Sequence, residues 1–387
     1  MKLSRFCFYL YVPLVLLFFW RTAVFWMSDR YGDQENAGVL LYAALLGIEL
    51  IALFLIVNAS YKRKDRGIHH ICFLWEIVML VVLLYNHSPI LVCLKCLAWP
   101  LFFESAYLLV KLDSSFFAGF RRVFFILIAI GAFIFFQSMI ISGYGGQSNM
   151  IYFLLLPVPV VLCTKNNKSR IIIMLLTSFF AILSMKRSMM LAVVLFWGLV
   201  GLKYLFGRRK KGVAILLSIG VTLLAVASFS MVDRITGGSL SSRFESDEED
   251  DVTNGRAAIY AVTWDMIANS STLDIILGHG HMAVRADSIL EISAHNDWLE
   301  ILYDYGAISL FLYLCLWVYV IKQWIYHFRN NTTYYIPYSL SLCILVVMSI
   351  VSQLVVYVSY FLYLVMFWGM VAGLKEVQNK QKNLLMR

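Results

Sequence analysis

Charge is scarce in this chain. Only 14% of its 387 residues are Asp, Glu, Lys or Arg, against 61% hydrophobic residues and a mean hydropathy of +0.77. No soluble core needs that much apolar surface, and many apolar runs approach the ~20 residues that cross ~30 Å of hydrocarbon, so the composition defines a polytopic membrane protein. Cysteine is missing from the one long polar stretch. The seven cysteines (Cys7, Cys72, Cys93, Cys96, Cys163, Cys315 and Cys343) sit mostly in apolar runs, and no disulfide framework is implied. Cys93 and Cys96 have CxxC spacing beside Lys95 in an apolar helix and read as small core thiols. A small-residue cleavage site is missing after the first apolar stretch, which carries Arg21, so that stretch reads as helix one and not as a secretory signal. An internal repeat and a matched pair of broken helices, marks of many transporters, are missing too.

What is there is a succession of apolar segments near 6–27, 38–60, 69–86, 88–110, 119–141, 149–164, 171–185, 188–206, 212–232, 296–326, 334–353 and 355–373. The expected fold is an all-α polytopic membrane protein of about twelve spans. Pro157 and Pro159 predict a kink in the sixth. Basic residues orient the bundle: Lys62, Arg63, Lys64 and Arg66, then Lys111, Arg121 and Arg122, then Lys165, Lys168 and Arg170, then Arg208, Arg209, Lys210 and Lys211, fall in every second loop. Those loops, and with them both termini, are expected on the cytoplasmic side. The net charge of +9 comes from this bias and not from a nucleic-acid-binding surface. The chain divides into 1–232 (spans one to nine), a large external loop at 233–294, 295–373 (spans ten to twelve) and a cytoplasmic tail at 374–387.

Two external places break the pattern. The turn LSMKRSMML puts Lys186 and Arg187 where the orientation rule disfavours cations. A short hairpin tolerates snorkelling cations; alternatively a planar guanidinium held there grips an anionic lipid headgroup bidentately. The loop at 233–294 holds eleven acidic residues against Arg234, Arg243, Arg256 and Arg285, a balance of −7. Its run ESDEEDD at 245–251 reads as a solvated segment, with a divalent-cation site as the sharper alternative. Beyond it, NGRAAIYAVTWDMIA predicts an amphipathic helix capped by Asn254, with Ala257, Tyr260, Ala261, Trp264 and Ile267 on one stripe suited to lying on the membrane or capping the bundle, and Arg256 in the first turn. Gly278 and Gly280 form a flexible turn displaying His279 and His281; a metal site of these with Asp287 and His295 is the weaker reading beside ordinary loop histidines.

The most informative stretch is AHNDWLEILYDYGAISL, residues 294–310, which puts a histidine at the mouth of a membrane helix. Helical spacing groups His295, Leu299, Leu302 and Gly306 on one face and Asn296, Glu300 and Tyr303 on the next. Ser293 is the expected cap, and the positive end of the helix dipole keeps the His295 ring neutral, as a general base must be. The plainer alternative is a histidine that caps a helix or bonds a carbonyl.

These residues resemble the O-antigen polymerase and ligase superfamily of bacterial envelope glycosyltransferases. The resemblance rests on the span count, the late external loop and an HNxxLExxxxxG element, here His295, Asn296, Leu299, Glu300 and Gly306. Arg187, Arg243, Arg256, Trp264, Gly278 and Gly280 extend it upstream, while the first five spans match only in hydropathy. Lys186 stands where related sequences often carry a small residue. The resemblance implies an enzyme of the bacterial inner membrane with its large loop periplasmic, acting on undecaprenyl-diphosphate-linked oligosaccharide without cofactor, metal or nucleic acid. A chain-length regulator protein is an optional partner. His295 would take the acceptor hydroxyl's proton; Arg187 and Arg256, then Arg243, with Lys186 beside them, would stabilise the departing diphosphate; Asn296 and Glu300 would support the ring or bind sugar. The expected activity is polymerisation of O-antigen repeat units, with ligation to lipid A core as the alternative. A transporter is the reading from another class, because Glu49, Glu76, Lys95 and Glu104 fall within spans, although Lys95 is expected to pair with one of the glutamates.

Overall fold

The computed structural model describes residues 3–28, 38–58, 66–141, 149–206, 230, 234 and 255–385. Among them no strand occurs, and the ordered elements are helices: α1 (Leu3–Ser28), α2 (Val39–Asn58), α3 (Arg66–Tyr85), α4 (Ile90–Leu112), α5 (Ser115–Ile141), α6 (Ile151–Leu155), α7 (Val158–Val161), α8 (Asn167–Leu183), α9 (Arg187–Phe206), α10 (Arg256–Ala268), α11 (Thr272–Leu277), α12 (Ala283–Asp287), α13 (Asp297–Arg329), α14 (Tyr335–Val351) and α15 (Val358–Leu385). Helices satisfy their backbone groups internally, the requirement for crossing hydrocarbon. Seven are long and apolar enough to cross a membrane, and the chain is a multi-pass membrane protein. The expected ninth span at 212–232, the basic residues Lys62, Arg63, Lys64, Arg208, Arg209, Lys210 and Lys211, Asn254 and the acidic run at 245–251 lie outside the described residues.

The sixth expected span is corrected. Pro157 and Pro159 divide it into α6 and α7, and residues 151–161 rise only about 17 Å at helical pitch, too little to cross. All the residues of α6 and α7 are buried, so their apolar character serves the interior of the bundle and not lipid contact. Hydropathy alone does not separate these cases.

The most extensive helix pair is α4 with α15. Gly369 and Gly373, one turn apart, let the backbones approach: a Cβ at either would collide with the carbonyl of Phe103 or Tyr107. This small-residue seam brings van der Waals contact where lipid supplies no hydrophobic drive. Lys111 Nζ pairs with Glu376 Oε1 at 3.0 Å farther along the same seam.

The expected pairing of Lys95 with a glutamate does not occur. Glu104 is taken by His69, whose Nδ1 lies 2.6 Å from its Oε1. Lys95 meets instead the ring of Tyr42, 5.5 Å from the ring centre.

Candidate functional site

The site is built around the start of α13. Asn296, not Ser293, is its cap: Oδ1 accepts from the N–H groups of Trp298 (2.9 Å) and Leu299 (3.3 Å), while Nδ2 donates to the Ile350 carbonyl (3.4 Å). His295 therefore precedes the helix. Its φ of 52° is left-handed, uncommon outside glycine, so it shares no helical face with Leu299 and Leu302.

Three buried carboxylates on α13 hold the loops that frame His295. Glu300 Oε1 accepts the Ala294 N–H (2.9 Å), one residue before His295, and also the side-chain amide of Gln353. Asp297 Oδ1 accepts the N–H groups of Leu354 (2.8 Å) and Val355 (3.3 Å), and its Oδ2 accepts from Tyr313 (3.1 Å). Asp304 accepts the N–H groups of Met282 and Val284, both at 2.9 Å. Positions 297, 300 and 304 share one helical face, so one stripe of acid collects three irregular segments whose amides would otherwise stay unsatisfied. Sequence reasoning singled out Glu300 and missed Asp297 and Asp304, although the i, i+3, i+7 spacing of acids in an apolar helix was their signal.

Gly306 does more than permit close contact; it breaks the helix, with φ 80° and ψ 175°. The turn after α11 fills the break: His279 N–H donates to the Tyr303 carbonyl (2.9 Å) and Gly280 N–H to that of Asp304 (2.8 Å). His279 stacks on Tyr303, ring centres 4.1 Å apart, and its Nε2 lies 2.8 Å from Ser270 Oγ. His281 Nδ1 lies 2.5 Å from the Tyr305 hydroxyl, and Asp287 accepts from the Tyr303 hydroxyl (3.0 Å). His279 and Asp287 thus meet at Tyr303 and His281 at Tyr305, contacts that fasten the loop to α13.

The described part of the loop also contributes α10. Gly255 stands at its cap with φ 77° and Arg256 is its first residue, in the first turn as expected. The face that packs inward carries Thr263 and Ile267, with Tyr260 half-buried, while Ala257, Ala261 and Trp264 of the expected stripe are exposed. Tyr260, one turn after Arg256, donates to the Ile350 carbonyl (2.8 Å) and reaches that of His295 (3.5 Å). The Lys186–Arg187 turn opens α9. Lys186 Nζ donates to Asn149 Oδ1 (2.8 Å) and lies 5.7 Å from the Tyr152 ring centre, while Arg187 is exposed as the first residue of α9.

These placements converge electrostatically on His295. Burial first, then the positive charges of Arg256 and Lys186, hold its imidazole below the ordinary value of 6.5. The neutral ring expected from the helix dipole is thus favoured for a different reason. Arg243 lies outside the described residues.

A helical membrane bundle carrying, at one end, a half-buried histidine under the field of two cations from separate segments defines the class of protein. Residues 172–314, from α8 to just past the break in α13, match the family model described as O-antigen ligase, which supports the resemblance to the O-antigen polymerase and ligase superfamily. No curated protein matches it.

Proposed function

We propose that the chain is a glycosyltransferase that joins undecaprenyl-diphosphate-linked repeat units of a surface polysaccharide at the outer face of the bacterial inner membrane. The observation that carries this reading is the shared field at His295: one basic nitrogen kept from protonation, with Arg256 and Lys186 acting on it from two different segments. Acceptor sugar and donor diphosphate need opposite things, a proton acceptor and fixed positive charge, and both are available here within one electrostatic neighbourhood.

In this mechanism His295 removes the proton from the acceptor hydroxyl as the oxygen attacks the anomeric carbon of the donor. The bond from that carbon to the lipid diphosphate breaks with inversion, and the diphosphate leaves with the electron pair. Arg256, Arg187 and Lys186, with Arg243, stabilise the charge gathering on its oxygens, an interaction stronger in the transition state than before it. Glu300 and Asn296 act by positioning, since the one fixes Ala294 and the other starts the helix on either side of His295. In this reading both termini are cytoplasmic and 233–294 is periplasmic, as the basic loops favour.

The second reading is ligation of finished polysaccharide to lipid A core, favoured by the description of the family that residues 172–314 match. Purified protein supplied with lipid-linked repeat unit alone separates the two: glycan lengthening without any core acceptor is expected, and strictly core-dependent transfer would replace polymerase by ligase.

A further inference from the structure

We infer that a recess beside Lys95, at the same end of the bundle but apart from His295, binds a single oxyanion group, the phosphate of a membrane lipid or free phosphate. Its walls include Trp75, Lys95, Trp99, Tyr305, Val355 and Val356, drawn from α3, α4, α13 and the segment before α15. Lys95 is only 9% exposed, and among the described residues its ammonium makes neither a hydrogen bond nor an ion pair, the Tyr42 ring at 5.5 Å being its nearest compensation. The Trp99 indole N–H, on the same wall, has no acceptor either, whereas the Trp75 indole is spent on the Cys96 carbonyl (3.3 Å).

A mostly buried side chain whose ammonium has no counter-charge among the described residues favours an anion beside it. Of the nearby groups, Asp304 is engaged by the N–H groups of Met282 and Val284. His281, bonded to Tyr305, is pushed down to about 3 by burial and by Lys95 itself, so it stays neutral and adds no second cation. Glu104 is engaged with His69. Two unspent N–H donors ask for an oxygen acceptor bearing negative charge.

Size and depth narrow the ligand. The recess holds about 250 Å³ including its open mouth, but its floor admits about one water-sized group, which suits one inserted oxygen and excludes a saccharide. Lys95 lies five residues past the start of α4 at Ile90, about 8 Å along the helix, a depth that a snorkelling lysine and a lipid phosphate both reach. The recess lining includes none of His295, Arg256 and Lys186. The inference stands whether or not the glycosyl transfer reading does.

The test uses the full chain. Native mass spectrometry from micelles containing phosphatidylglycerol counts retained lipid, and thermal melts in phosphatidylcholine nanodiscs compare inorganic phosphate with gluconate at equal ionic strength. Retention of phosphatidylglycerol assigns a lipid phosphate, and stabilisation by inorganic phosphate assigns a free oxyanion. Whichever probe binds, Lys95→Met is expected to weaken it about tenfold or more, Lys95→Arg to preserve it, and Trp99→Phe to weaken it several-fold. Absence of binding by both probes, or binding equal in wild type and Lys95→Met, overturns the inference. Should Lys95→Met fail to fold, Trp99→Phe decides in its place: weakened binding supports the site and unchanged binding overturns it.

Discussion

Gly278 and Gly306 meet backbone to backbone. A Cβ on Gly278 would enter the peptide after Asp304, and one on Gly306 would enter the carbonyl of Ile276, while both residues hold left-handed φ, 77° and 80°. The joint locks the turn after α11 into the break of α13, and through Glu300 and Asp304 the same helix fixes the residues around His295.

Gly306→Ala should therefore destabilise strongly, on the order of 3 kcal/mol from strain and collision combined. Gly198→Ala, in α9 with open space at the would-be Cβ, should be neutral or slightly stabilising. Thermal melts in one detergent compare them, and equal midpoints would show that the joint bears no weight.

Asp304→Asn keeps the shape but turns an amide group toward one of the two N–H donors, Met282 or Val284. The expected loss is about 1–3 kcal/mol, concentrated in α12. Hydrogen exchange should speed at residues 282–288 before it speeds in α4 or α15. Unchanged protection there would remove Asp304 from the loop's anchorage.

The low proton affinity of His295 predicts a pH profile. A base held below 6.5 stays neutral as pH falls past that value, so the acid limb of kcat/KM should lie below 6.5. The sign for stability is the same: the unfolded ring binds protons more readily, so this contribution is present above 6.5 and lost as pH falls through the folded value. Arg256→Gln removes one of the two positive charges and should move the acid limb upward, whatever it does to the maximum rate. An unmoved limb would separate His295 from the titration.

Arg187→Lys tests the exposed guanidinium at the start of α9. If two parallel contacts to diphosphate matter, one ammonium cannot reproduce them, and kcat/KM should fall about tenfold or more. A near-normal rate, measured by glycan lengthening, would leave Arg187 without a role in the diphosphate contact.

Much of the local plan was legible. Apolar runs marked most helices, the prolines at 157 and 159 marked the interruption between α6 and α7, and Arg256 fell in a first turn as its pattern required. Ser293 looks like the cap in the sequence, whereas the helix is capped by Asn296. Only the fold moved the start, because Ala294 is tied to Glu300 and the chain turns through a left-handed His295 before the helix can begin.

Sequence by itself determined membrane class, the position of the polar loop and the presence of a histidine at a helix mouth, because hydropathy and cap chemistry act over a few neighbouring residues. Tertiary structure alone decided that 151–161 is interior, that Lys95 lacks a glutamate partner, and that cations at 186 and 256 act on the ring at 295. Those outcomes depend on which distant segments meet, and electrostatic and packing energies between such segments leave no periodic trace along the chain.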